Sequence, residues 1–91
     1  MAAQRIVIIS GCSTGIGLHT ALLLARDSQK RFKVYATMRN LGKKTALEEE
    51  GKKYMNETLV VKAMDVTSDE SVNSVVQEVF SDEGKIDILS E

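Results

Sequence analysis

Residues 5–17, RIVIISGCSTGIG, constrain the fold of this chain more than any other part of its sequence. Four consecutive β-branched residues, 6–9, show no polar alternation, which predicts a strand that is buried on both faces. The glycines that follow are spaced G-x-x-x-G-x-G, at Gly11, Gly15 and Gly17, and they precede an apolar helical segment. Such glycines let the backbone leave the strand sharply and bring its N–H groups close to a ligand. Because a helix beginning near Gly15 would direct its positive end at that ligand, the stretch predicts a phosphate site.

Two other interpretations of the glycine loop are weaker. A Walker A loop requires Gly-Lys-Ser or Gly-Lys-Thr at its end, whereas here Gly17 is followed by Leu18 and His19. A strand-to-helix turn that binds nothing would also use glycine, but the position of these glycines between a buried strand and a helix favours nucleotide binding.

Composition and charge bound the class of protein. With 91 residues, one cysteine (Cys12) and a net charge of -1, the chain is expected to be one small domain from a reducing compartment. No apolar run reaches the roughly 18 residues of a membrane helix and the N-terminus lacks a signal-peptide core, so we expect a cytoplasmic or cytosol-facing chain. Eight of the 12 Lys and Arg residues lie at or before Lys44, whereas only one Asp or Glu residue does. The excess of positive charge in this half of the chain favours a polyanionic ligand. The few aromatic residues form no stacking platform, so nucleic acid is not an expected partner.

Strand and helix segments alternate along the rest of the chain. Further strands are predicted at residues 33–37, 58–63 and 85–89. Helices are predicted at residues 16–25, at residues 43–55, and from a Thr67–Glu70 capping box to Gly84. The order βαβαβαβ with right-handed crossovers predicts an α/β fold. We expect a Rossmann-type parallel sheet of strand order 3-2-1-4 with helices on both faces. Its fourth strand would be an edge that exposes apolar residues, so self-association is expected.

The ends of the second and third strands predict the cofactor. In a dinucleotide fold an acid after the second strand binds the ribose 2′-hydroxyl, whereas an Arg accommodates a 2′-phosphate. Arg39 lies there and no acid does, which favours NADP(H), and Thr14 is placed to bind the same phosphate. Asp65, after the third strand, is expected to accept a hydrogen bond from the adenine amino group. The competing interpretations are a solvated cation for Arg39 and a turn-forming acid for Asp65.

These residues resemble the short-chain dehydrogenase/reductase family. The resemblance rests on GCSTGIG after IVIIS, on Arg39, on Asp65 with Val66, and on the strand KIDIL; Ser10 stands where the family usually has Thr. It covers the whole chain and is strongest for the branch of retinol and 17β-hydroxysteroid dehydrogenases. It implies NADP(H) contacts by Gly11, Ser13, Thr14, Gly15, Ile16, Gly17, Arg39, Asp65 and Val66.

The resemblance also implies that residues 1–91 are the N-terminal, dinucleotide-binding part of a single domain. In the family, catalysis comes later in the chain, from a Ser and a Tyr-x-x-x-Lys pair. Tyr35 and Tyr54 are followed four residues on by Arg39 and Thr58, so neither forms this pair. We therefore expect no catalytic residue and no metal ligand here. The longer protein would act on a small lipophilic retinoid or steroid, and its peripheral association with a membrane is compatible with the resemblance.

Two further functions compete with the oxidoreductase. A noncatalytic module could hold a nucleotide or pair with a longer partner through the open sheet edge. An S-adenosylmethionine methyltransferase also uses a glycine loop, but it normally carries an acid after the second strand, and Arg39 disfavours that class.

Overall fold

Four parallel strands form the sheet of this protein. A computed structural model describes residues 4–12, 15–40, 42, 45–55 and 57–90. The strands are β1 (Arg5–Ile9), β2 (Phe32–Met38), β3 (Leu59–Ala63) and β4 (Ile88–Ser90). Their spatial order is β3-β2-β1-β4 and every pairing is parallel, which confirms the predicted α/β fold and strand order.

Helices cover both faces of this sheet, as predicted. They are α1 (Gly15–Ala25), α2 (Thr45–Glu50) and α3 (Asp69–Glu83). Side chains of β1 alternate between two cores, which explains why its β-branched run is unbroken. Val7 and Ile9 pack with α1 and α2, whereas Ile6 and Ile8 pack with α3. In the described ranges no helix combines the length and the apolar character needed to cross a membrane.

The single helix predicted at residues 43–55 was wrong. Residues 43 and 44 lie outside the described ranges, and α2 ends at Glu50 before a separate 3-10 turn, Lys52–Tyr54. The break falls at Gly51, whose N–H donates to Leu47 O at 2.8 Å. A Cβ at Gly51 would lie 2.5 Å from Leu59 Cδ2, so the chain approaches β3 more closely there than a continuous helix with side chains would allow.

The structure also differs from the prediction at the start of α3 and at the start of β4. Gly84 ends α3 in a left-handed conformation (φ 77°), as expected, but the N-cap is Ser68 and not Thr67. The Ser68 hydroxyl accepts from Ser71 N at 3.2 Å, so the Thr67–Glu70 capping box is not formed. Strand β4 begins at Ile88, later than predicted. Asp87, which precedes it, exchanges two hydrogen bonds with Ile6: Asp87 N donates to Ile6 O at 2.9 Å, and Asp87 Oδ2 accepts from Ile6 N at 2.7 Å.

Candidate cofactor-binding site

The glycine loop leaves β1 in a conformation that requires glycine. Gly11 and Gly15 have φ angles of 65° and 66°, in the left-handed region that other residues rarely adopt. Gly17 is required for a different reason, since a Cβ there would lie 2.4 Å from Gly11 O. The start of α1 therefore packs directly on the loop backbone. Ser13 and Thr14, the other predicted loop contacts, lie outside the described residues.

Buried hydrogen bonds anchor the loop to β2. The Thr37 hydroxyl donates to Ile9 O at 2.8 Å, and Cys12 N donates to Thr37 O at 3.0 Å. The Cys12 thiol also donates to Ile9 O, at 3.2 Å. Burial raises the pKa of Cys12 to about 11, so this thiol stays neutral and acts as a packed donor rather than a nucleophile. Sequence reasoning missed Thr37, although a hydroxyl inside the apolar strand KVYATM was the available signal.

The first turn of α1 places an apolar side chain outside the core. The sequence of this helix is apolar nearly all round, as expected for a helix packed on a sheet, yet Ile16 is 86% exposed and Leu23 is 71% exposed. Ala21, Leu22 and Ala25 supply the buried side instead. Ile16 therefore stands beside the glycine loop, where it is available to contact a ligand rather than to support the fold.

Arg39 is the exposed cation at the end of β2. Three other basic residues from the same half of the chain are paired with acids in the structure: Lys30 with Glu57, Arg31 with Asp27, and Lys33 with Glu83. Within the described ranges Arg39 has no hydrogen-bond or ion-pair partner. Pairing with an acid makes these three side chains less available to an anionic ligand than Arg39.

Asp65 follows β3 and has a fixed side chain. Its Oδ1 accepts two hydrogen bonds from Thr67, from the backbone N at 2.9 Å and from Oγ1 at 2.6 Å. Its own N–H donates to Ser71 Oγ at 3.0 Å. Hydrogen bonding by Thr67 lowers the pKa of Asp65, and the positive charge of Arg39 adds to this in the same direction, so the carboxylate is ionised at neutral pH. Val66, next in the chain, is exposed.

Backbone pairing brings these residues to the same end of the sheet. Met64 N donates to Met38 O at 3.0 Å, which continues the β2–β3 ladder as far as the residues before Asp65 and Arg39. The loop after β1 is tied to β2 through Thr37. In the sheet, β2 lies on one side of β1 and β4 lies on the other, so the order of the strands reverses at β1. Open parallel sheets bind ligands at such a reversal, outside the carboxyl ends of the strands. These features define a Rossmann-type α/β protein.

The family follows from comparison with known proteins. The short chain dehydrogenase profile matches residues 5–91. The chain therefore belongs to the short-chain dehydrogenase family, as its motifs indicated.

Individual relatives place the chain within that family. It is 49% identical to human retinol dehydrogenase 8 over 97% of this chain and 27% of the relative. It is 39% identical to human 17-beta-hydroxysteroid dehydrogenase type 1 over 96% of this chain and 26% of the relative. The crystal structure of YwfH, an NADPH-dependent reductase involved in bacilysin biosynthesis, superposes with a TM-score of 0.78 at 27% identity over 96% of this chain and 36% of that one. The chain thus spans about a quarter of the length of these curated relatives.

Proposed function

We propose that residues 1–91 form the N-terminal part of a single short-chain dehydrogenase domain and bind NADP(H). The observation that carries the proposal is Arg39, which follows the strand that anchors the glycine loop and has no acid partner among the described residues. Lys30, Arg31 and Lys33, at the opposite end of β2, are each paired with an acid. The NADPH dependence of YwfH, a relative in structure, supports the same cofactor.

The described residues fit such a cofactor. A Cβ on Gly11 or Gly15 would meet nothing within 4 Å, so the loop backbone faces open space. In this proposal Gly11, Gly15 and Gly17, with Ser13, hold the pyrophosphate at the start of α1, and Thr14 adds a hydroxyl to the 2′-phosphate. Ile16 packs against the dinucleotide, Arg39 binds the 2′-phosphate, and Asp65 and Val66 border the adenine. When bound, the nicotinamide supplies the hydride for reduction of a carbonyl.

The proposed reaction interconverts an alcohol and a carbonyl on a lipophilic retinoid or steroid. Support comes from the two relatives, whose names specify a retinol and a 17-beta-hydroxysteroid. By resemblance, a Tyr with a lowered pKa acts as the acid in the longer protein. Tyr35 is unsuited to that role, because its hydroxyl donates to Glu83 and its pKa is raised by burial and by Glu83. We infer that this chain contributes cofactor binding and no catalytic acid.

A noncatalytic module that pairs with another chain is the second candidate. The exposed Ile88 and Leu89 on β4 favour it, because they form an apolar edge that another strand could cover. Oxidation of NADPH by the purified chain in the presence of all-trans-retinal would exclude this candidate. Binding of NADPH without oxidation is compatible with both.

The test of the proposed cofactor is a calorimetric titration with NADPH and NADH. We expect tighter binding of NADPH by roughly ten- to a hundredfold, since one charge-assisted hydrogen bond to a phosphate contributes about that much. Arg39→Leu should remove this preference by weakening NADPH alone. Arg26→Leu, which removes an exposed cation from the same half of the chain, should leave it intact. Equal affinity of the wild-type chain for the two cofactors would contradict the proposal.

A further inference from the structure

Thr67 has an unusual place in the turn between β3 and α3. Its hydroxyl is not needed to begin the helix, because Ser68 caps α3 through Ser71 N. Instead, the backbone N–H and the hydroxyl of Thr67 both donate to the same atom, Oδ1 of Asp65, at 2.9 and 2.6 Å respectively. The Ser68 hydroxyl thus caps the helix, whereas the neighbouring Thr67 hydroxyl binds the Asp65 carboxylate.

This arrangement leaves the second carboxylate oxygen free. In the part of the chain that the structure describes, the hydrogen bonds to the Asp65 side chain all end on Oδ1, and Oδ2 has no donor. The backbone of Asp65 is held as well, since its N–H donates to Ser71 Oγ at 3.0 Å. An ionised carboxylate accepts hydrogen bonds and cannot donate them. Oδ2 is therefore a fixed acceptor at the ligand-binding end of the sheet.

We propose that Thr67 is a positioning residue that orients Asp65 Oδ2 toward the base of the dinucleotide and so makes the site select adenine over hypoxanthine. The inference rests on the proposed function, because it requires the dinucleotide to lie across the ends of β2 and β3. Adenine offers an exocyclic amine that donates to Oδ2. Hypoxanthine has a carbonyl oxygen at that position, and two acceptors facing each other leave both without a hydrogen bond.

A purely structural role for Thr67 makes a different prediction. If Thr67 only closed the turn, its loss would destabilise the start of α3 and would affect every nucleotide equally. Ser68→Ala provides the matched control, because it removes the helix cap from the adjacent residue and leaves both hydrogen bonds to Asp65 in place. The two roles are therefore separable by comparing substitutions at positions 67 and 68.

The experiment titrates the 91-residue chain with NADPH, NADH and the hypoxanthine analogue of NADPH, in the wild type and in three variants. The wild type should prefer NADPH over the analogue by about ten- to a hundredfold. Thr67→Val should weaken NADPH binding by about two- to tenfold, the cost of immobilising a freed side chain, and should reduce the preference for adenine. Thr67→Ser should restore both values, and Ser68→Ala should leave the preference unchanged.

A second readout does not depend on any ligand. The pKa of the Asp65 carboxyl, followed by carbon NMR, should rise in Thr67→Val, because a hydrogen bond to the charged form is lost while Arg39 still favours ionisation. It should not change in Ser68→Ala.

An unchanged adenine preference or an unchanged Asp65 pKa in Thr67→Val would overturn the inference. A wild type that prefers NADPH to NADH but binds the hypoxanthine analogue as well as NADPH would overturn it while leaving the proposed function standing. A wild type that binds none of the three would overturn both.

Discussion

The loop end of the sheet and its β4 edge are built in different ways. At the loop end, the glycine loop, Thr37 and Cys12 are held by short hydrogen bonds within the chain, and the Thr37 and Cys12 side chains are buried. At the β4 edge, a three-residue strand pairs with β1 and leaves Ile88 42% exposed and Leu89 47% exposed. The described residues of the loop end are thus held by buried hydrogen bonds, whereas the edge presents apolar surface that the described residues leave exposed.

This difference indicates which properties depend on local sequence. The loop geometry depends on residues within about thirty positions of one another, so the chain carries the information for it. The stability of the edge depends on burying apolar area, at roughly 25 cal/mol per Å². We therefore expect substitutions at the loop end to affect ligand binding and substitutions at the edge to affect association.

Gly17→Ala should have the largest effect. The added Cβ would lie 2.4 Å from Gly11 O, a backbone atom that cannot rotate away, so the loop and α1 must separate. We expect a loss of about 1–3 kcal/mol in the free energy of unfolding, measured with urea, together with loss of NADPH binding. Gly42→Ala is the control, because its Cβ would lie 3.1 Å from the Asn40 side-chain oxygen rather than against a backbone atom. Unchanged NADPH affinity in Gly17→Ala would contradict the expectation that the loop end determines ligand binding.

A pair of buried threonines sharpens the contrast within the sheet. The Thr37 hydroxyl donates to Ile9 O at the loop end, and the Thr58 hydroxyl donates to Ala25 O at the opposite end, both at 2.8 Å. Thr37→Val and Thr58→Val should each reduce the free energy of unfolding by about 0.5–1.5 kcal/mol, since each removes one buried hydrogen bond to a carbonyl. Only Thr37→Val should also weaken NADPH binding in calorimetry. Equal binding losses in the two variants would mean that the loop is not specifically anchored by Thr37.

Acid should weaken the junction between β1 and the β4 segment. The backbone N–H of Ile6 lowers the pKa of Asp87, and Lys85 lowers it further. Because the pKa is lowered in the folded state, the stabilisation is fully present above about pH 4 and is lost as the pH falls through the lowered value. Urea unfolding at pH 7 and pH 3 should show a smaller difference for Asp87→Asn than for the wild type. An identical difference would show that the hydrogen bond to Ile6 contributes no pH dependence.

Leu89→Lys should have the smallest effect on stability. A half-exposed side chain contributes little to the core, so we expect a change below about 0.5 kcal/mol in the free energy of unfolding. Sedimentation at tens of micromolar should instead show less self-association than in the wild type, because a charge on an open edge opposes strand pairing. Leu23→Lys, on the exposed side of α1, is the control and should leave association unchanged. A monodisperse wild-type monomer would contradict the expected association.

The sequence predicts the sheet well because its signals are strong and local. The unbroken run in β1, the glycine spacing and the alternation of segments are sufficient for the strand order and for a start of α1 near Gly15. Gly84 as the end of α3 also follows from the need for a left-handed residue after a helix.

The predictions are wrong where two similar residues could both cap a helix, or where packing between distant segments determines the local structure. Thr67 and Ser68 are both good N-caps, and the sequence cannot show that Asp65 occupies the first of them. The break at Gly51 depends on how closely β3 approaches, which is a tertiary contact. Likewise, the acids that pair with Lys30 and Lys33 are distant in sequence, at Glu57 and Glu83.

The most direct test of the central claim is to map NADPH binding on the amide NMR spectrum of the isotope-labelled chain. If the carboxyl ends of β1, β2 and β3 form the site, the largest shifts will occur at Gly11, Gly15, Gly17, Arg39 and Asp65, and amides of β4 will change little. Shifts concentrated on another surface, or a dispersed spectrum that NADPH leaves unchanged, would contradict the proposal that this chain holds the cofactor.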